Sequence, residues 1–263
     1  MSNSLNGRTA IVTGGSTLIG HGVVEALHRE GANVTVADID VEGGQRIVDS
    51  LGERVVFRRT DITHDGDLSR LAREVGDEQG GIDILVNLAC SYLDDGFATS
   101  RSDWLSALDV NLVSSAMAVQ TIHPWLVRSE HAAIVNFTSI SSKVAQTGRW
   151  VYPASKSAMV QLTRSMAMDL ISDGIRVNSV SPGWTWSAIM DGLSRGDRAK
   201  TDAVAAPFHL TSRVADPIEI GNVVAFLVSD AASVVTGADW AADGGYSALG
   251  PEQAVPAIPQ LEA

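Results

Sequence analysis

Thr9-Ala10-Ile11-Val12-Thr13-Gly14-Gly15-Ser16-Thr17-Leu18-Ile19-Gly20 reads as a strand, a glycine turn and the start of a helix. Thr9–Thr13 is apolar and β-branched without alternation, the composition of a strand covered on both faces. Gly14-Gly15 turns the chain at once. Val23, Val24 and Leu27 then share one helical face that closes at Gly31. Such a turn aims free N–H groups and the positive end of a helix above the strand, which suits a pyrophosphate.

Outward from this stretch the chain alternates. Strands are expected at Asn33–Asp38, Arg54–Arg59, Ile82–Leu88, Ala132–Ser139 and Ile175–Val180. Helices are expected at Val41–Leu51, Asp65–Gln79, Arg101–Arg128 and Trp150–Ser172. Regular alternation implies right-handed βαβ units and a parallel sheet with helices on both faces, a Rossmann-type doubly wound α/β domain. No linker or internal repeat divides the chain, so one domain is expected. Residues 183–216 lack a clear period and read as a mobile loop or lid. The tail 246–263 carries Pro251, Pro256 and Pro259 and reads as extended, packing on a neighbouring subunit.

Composition narrows the function. The 263 residues are 45% hydrophobic and 19% charged, enough for a large core. A net charge of −12 with no basic run argues against nucleic acid or an anionic membrane as partner. One cysteine, Cys90, excludes an internal disulfide and fits a reducing, cytoplasmic location. The N-terminal residues lack a secretory h-region, no apolar run is expected to span a bilayer, and no metal-ligand cluster is expected.

In an open parallel sheet, ligands bind beyond the carboxyl ends of the strands, where strand order reverses. Gly14, Asp38, Asp61 and Asn87 all stand at expected strand ends. Asp38 suits a ribose diol and repels a 2′-phosphate, favouring NAD over NADP. Asp61 and Ile62 suit an adenine held between a carboxylate and an apolar side chain. Tyr152 and Lys156, four residues apart, project from one helical face. Pro153 is tolerable only in a first turn, so Tyr152 stands near the helix start with the ammonium one turn deeper, and both favour a phenolate and lower the Tyr152 pKa. A lone Tyr-x-x-x-Lys is common on ordinary helices, so its weight comes from context.

From Thr9 to about Tyr246 the chain resembles the short-chain dehydrogenase/reductase family. The resemblance is carried by Thr13-Gly14 with Gly20, Asp61-Ile62, Asn87 with Ala89, Asn111, Ser139, Tyr152/Lys156, Pro182-Gly183 and Asp243-Gly244-Gly245. It implies Tyr152 as general acid/base, Lys156 as its tuning cation and ribose ligand, and Ser139 as hydrogen-bond donor to the same substrate oxygen. Asn111 is similar to an asparagine that holds a water linking Lys156 to solvent. Cofactor contacts are implied at Gly14, Thr17, Leu18 and Ile19, at Asp38, Asp61 and Ile62, and at Asn87 and Ala89. Tyr152, Lys156, Pro182, Gly183 and Thr185 complete that set. The expected activity is hydride transfer between NAD and a secondary alcohol or ketone, in a dimer or tetramer.

Two positions depart from the family pattern. Leu18 stands at a motif glycine, where its side chain is expected to push the cofactor or strain the turn. Cys90 replaces a second glycine, near the nicotinamide ribose; it reads as a small buried apolar residue or a redox-sensitive thiol. The alternative function is therefore a cofactor-impaired binding or scaffold protein. Trp150, Trp184 and Trp186 read either as lining a pocket for an aromatic or flat apolar substrate or as packing between lid and body or at an oligomer contact.

Overall fold

The computed structural model describes residues 4–250 and Pro259. Its centre is a seven-stranded parallel sheet of β1 (Thr9–Thr13), β2 (Asn33–Asp38), β3 (Val55–Arg59), β4 (Ile84–Asn87), β5 (Ala133–Phe137), β6 (Arg176–Pro182) and β7 (Asp239–Ala242). The strand order is β3-β2-β1-β4-β5-β6-β7. Between β1 and β4 the winding reverses, and a crevice opens there above the strand ends.

Helices cover both faces, as a parallel sheet requires. On one face lie α1 (Leu18–Arg29) and α2 (Val41–Leu51), and on the other α3 (Asp65–Gln79). The run from Arg101 to Leu126 comprises α4 (Arg101–Leu108), a π-helical turn Asp109–Val113 and α5 (Ser114–Leu126). After it come α6 (Val151–Leu170), α7 (Ala188–Ser194), α8 (Arg198–Ala205) and α9 (Pro217–Val228). Val23, Val24, Ile220 and Val224 join the core beneath α1 and α9, while Leu68, Leu71, Ile122 and Met166 join the core beneath α3, α5 and α6. Helices α1 and α9 meet at Gly22 and Gly221, where a Cβ on either would run into the facing backbone.

The structure departs from the sequence reading in four places. The stretch Arg101–Leu126 is one continuous 26-residue helical run, long and apolar enough by composition to cross a membrane. Its α5 half packs into the core, with Ala118, Val119, Ile122 and Leu126 buried, while on α4 only Ala107 is buried. Residues 183–216 are not structureless, since α7 and α8 occupy them; each starts on a side-chain cap, Ser187 and Asp197. Helix α9 was not foreseen. In the tail, Tyr246–Ala248 forms a 3₁₀ turn rather than extended chain, and Pro251 and Pro256 lie outside the described residues.

Candidate active site

A cavity of about 780 Å³ runs along the crevice from Asp38 to Met190. Its first wall is the β1–α1 turn. Gly14 has φ +69, and a Cβ there would stand 2.5 Å from the Ala89 Cα, so only glycine lets these two strand ends close up. Thr17 caps α1: its hydroxyl accepts from the Gly20 N–H at 3.0 Å and donates to the Gly14 carbonyl at 3.0 Å. The N–H groups of Leu18 and Ile19 find no acceptor among the described residues, and both residues line the cavity. Leu18 sits in the first turn of α1 without positive φ, so the expected strain is absent; its side chain forms cavity wall and is 41% exposed.

Asp38 faces the same end. Its two carboxylate oxygens accept from the Ser16 N–H at 2.9 Å and the Asp40 N–H at 3.0 Å, which fixes the group and leaves further lone pairs for a ligand. Asp61 is not on the cavity. It accepts from the Thr63 N–H at 3.0 Å and hydroxyl at 2.7 Å, an Asx turn that holds its carboxyl below the ordinary value. Ile62 is buried in the core, and Asn87 lies under the floor, donating to Asn136 Oδ1 at 2.9 Å. Gly14 and Ala89 shape the crevice from behind.

At the other end the structure brings Ser139, Tyr152 and Lys156 together on the cavity wall. Helix α6 begins at Val151, which puts Pro153 in the first turn, where its missing N–H is harmless. Lys156 is 3% exposed; its Nζ donates to the Phe137 carbonyl at 2.9 Å and lies 5.6 Å from the Tyr152 ring centroid. Ser139 Oγ accepts from the Ser141 N–H at 3.2 Å. The expected lowering of the Tyr152 pKa is not found. Burial pushes the phenol well above its ordinary value, the neighbouring Tyr92 and Cys90 add to the rise, and the Ser139 hydroxyl pulls against it. Desolvation here outweighs the helix dipole, and a carboxylate at the helix start opposes that dipole.

That carboxylate, Asp94, was missed in the sequence. Trp150 carries no capping side chain, so Asp94 caps α6 from the loop after β4: Oδ1 accepts from the Trp150 N–H at 2.9 Å and Oδ2 from the Tyr152 N–H at 2.8 Å. Burial raises the Asp94 carboxyl, but the N–H groups of Trp150, Tyr152, Gly96 and Val151 together hold it below its ordinary value. Tyr92, from the same loop, was also missed; its ring stacks on Tyr152 at 5.1 Å with 24° between planes. Burial pushes the Tyr92 phenol up to about 12. No local signal marks either residue, because each acts on a helix more than fifty positions away.

Asn111 lies in the π-helical turn, one layer behind the catalytic group. Its side chain is spent on Ser91, accepting from the N–H at 2.6 Å and donating to the carbonyl at 2.9 Å, with Ser155 Oγ at 3.4 Å. It ties the loop after β4 to α6. Cys90 lines the cavity half-buried; burial raises its thiol while Lys156 pulls it down. Pro182, Gly183 and Thr185 line the roof. Of the three tryptophans only Trp184 lines the cavity. Trp150 meets Phe97 edge-on at 5.8 Å, and Trp186 lies under the Arg198 guanidinium at 5.4 Å. His209, buried and unanticipated, accepts from the Trp184 N–H at 3.2 Å and so pins the roof.

The residues fit a nicotinamide dinucleotide. Unpaired N–H groups at the start of α1, a fixed carboxylate at the end of β2 and a buried ammonium with a single backbone acceptor are spaced along one cleft.

The comparisons with known proteins agree with this geometry. A family model described as Enoyl-(Acyl carrier protein) reductase matches residues 15–247. Nodulation protein G of Rhizobium meliloti (strain 1021) is 32% identical over 246 residues, covering 93% of this chain and 99% of that protein. Cis-4-hydroxycyclohexanecarboxylate dehydrogenase of Sinomonas cyclohexanicum is 33% identical over 260 residues, covering 95% and 100%. The crystal structure of gox2181 matches with a TM-score of 0.85 and 31% identity, over 94% of this chain and 99% of that one. The chain belongs to the short-chain dehydrogenase/reductase family, with a single-domain Rossmann-type fold. It is an oxidoreductase acting on CH–OH groups of small molecules with a nicotinamide cofactor.

Proposed function

We propose that this protein is an NAD-dependent dehydrogenase/reductase of secondary alcohols and their ketones, with Tyr152 as general acid/base. The observation that carries the reading is the convergence of Ser139, Tyr152 and Lys156 at one end of a cleft whose other end holds Asp38. The bound nicotinamide would supply or accept the hydride. Tyr152 holds the proton that moves to or from the substrate oxygen, and Ser139 donates a hydrogen bond to that same oxygen. Lys156 orients the cofactor ribose with its spare N–H groups. Burial raises the Tyr152 phenol, which favours its protonated form, the one that donates to a carbonyl oxygen.

Support for NAD comes from Asp38 and Asp40 facing the α1 end, where a 2′-phosphate would meet two carboxylates and one cation, Arg46. Leu18 and Cys90 leave the turn unstrained and the cleft open, which weighs against the scaffold alternative. Residues 183–216 act as the lid in this reading. The same reading has a cytoplasmic dimer or tetramer, with exposed Leu105 on α4 and Met168 on α6 as candidate subunit surface.

The test is Tyr152→Phe, assayed by NADH absorbance against a panel of secondary alcohols and ketones. Turnover is expected to fall at least roughly 10²-fold. NADH affinity should stay within about twofold, as the removed hydroxyl faces substrate. Wild-type turnover in the variant would remove Tyr152 from the chemistry.

A further inference from the structure

The two ends of the cavity differ in charge. Asp38 and Asp40 line the end near α1, whereas no acidic side chain lines the end beyond Tyr152. That end is bordered by the turn Gln146-Thr147-Gly148-Arg149, three of whose side chains line the cavity. The Arg149 guanidinium has no acceptor among the described residues. The other cavity arginine, Arg46, lies 4.0 Å from both Asp40 and Glu42. Gln146 Oε1 accepts from the Ser141 hydroxyl at 2.7 Å, so its NH₂ is left to donate, and it too has no acceptor among the described residues. Arg149 also draws down the phenol of Tyr92, whose ring stacks on Tyr152. A rim with an unpaired guanidinium and no carboxylate suits a ligand that brings acceptor oxygens and negative charge.

The turn is held in place. Gly148 has φ +73, the Arg149 N–H donates to the Gln146 carbonyl at 3.3 Å, and the next N–H, of Trp150, is fixed by Asp94. Its backbone packs against Gly96, where a Cβ would come within 3.1 Å of Gly148. A guanidinium and an amide NH₂ carried on one turn supply the N–H donors that the two oxygens of a carboxylate accept.

We propose that the turn Gln146–Arg149 is a carboxylate-recognition subsite, and that the substrate is a hydroxy acid or keto acid. Its carboxylate is held by Arg149 and Gln146 while its alcohol or carbonyl carbon lies at Tyr152. This rests on the assignment of Tyr152 above. The two side chains spring from positions three residues apart, with at most about 11 Å between their Cα atoms.

The test compares cyclohexanecarboxylate with its neutral isostere cyclohexanecarboxamide by isothermal titration calorimetry, with and without NADH. The carboxylate is expected to bind about 10-fold more tightly. In Arg149→Gln that ratio should fall to within about twofold, and Arg149→Lys should keep part of it. A wild-type ratio near one, an undiminished ratio in Arg149→Gln, or no binding of either compound would overturn the subsite. A ratio near one alongside intact NADH binding and Tyr152-dependent turnover would remove the subsite alone. Loss of those two properties with the ratio retained would remove the dehydrogenase reading alone.

Discussion

The two ends of the cleft are built differently. The end near α1 is made of backbone: the ends of β1, β2 and β4 and the first turn of α1, closed up by Gly14 against Ala89. The end beyond Tyr152 is made of loops distant in sequence, stitched by single side chains: Asp94 to α6, Asn111 to Ser91, His209 to Trp184. Steric fit governs the first end, and a few part-buried hydrogen bonds govern the second. A fold organised this way can keep its cofactor chemistry while its substrate end changes.

The strongest attempt to break this contrast is Gly14→Val. The new side chain meets Ala89 backbone and a positive φ together, so destabilisation of roughly 3 kcal/mol or more is expected. Thermal melting checks it; a wild-type melting temperature would mean that this end is as adaptable as the other. Asp94→Ala is the matching test of the second end. Loss of a helix cap is worth about 1 kcal/mol, a drop of roughly 2–4 °C for a domain of this size. Turnover should fall about 10-fold through misplacement of Tyr152, with NADH affinity within about twofold of wild type. Equal losses of turnover and NADH affinity would mean that the two ends are one mechanical unit.

The smallest effect is an acid one. Glu219 pairs with Arg213 at 2.6 and 2.7 Å and completes the capping box of α9, the helix behind α1. The Arg213 hydrogen bonds draw the Glu219 carboxyl from 4.5 to about 2. A folded-state value below the unfolded one contributes stability above about pH 4.5. That contribution is lost as pH falls toward about 2. Glu219→Gln should therefore flatten the acid limb of a stability–pH curve in this window and change little at neutral pH. An unchanged acid limb would remove the pair from the support of this layer.

The first end was legible in the sequence and much of the second was not, for a physical reason. Thr9–Thr13, Asn33–Asp38, Val41–Leu51 and Asp65–Gln79 are fixed by local periodicity and caps, and the structure has them at those bounds. Spacing puts Lys156 and Tyr152 on one helical face, and the motifs around them give that pair its weight. Asp94, Tyr92 and His209 act across 58, 60 and 25 positions, distances over which spacing carries no signal. Asp61 and Asn87, marked by their strand ends, and Ile62, marked by following Asp61, show the converse: their side chains serve a turn, a cross-strand bond and the core. The direction of the Tyr152 shift was misjudged because desolvation depends on tertiary packing that a helix pattern does not contain.

The most direct test of the account is tryptophan fluorescence titrated with NADH and, separately, NADPH, with Trp184 on the cavity wall as reporter. Saturable quenching by NADH, with NADPH at least about 10-fold weaker and that gap closing in Asp38→Ser, is the expected result. Equal affinity for the two, or binding of neither, would contradict it.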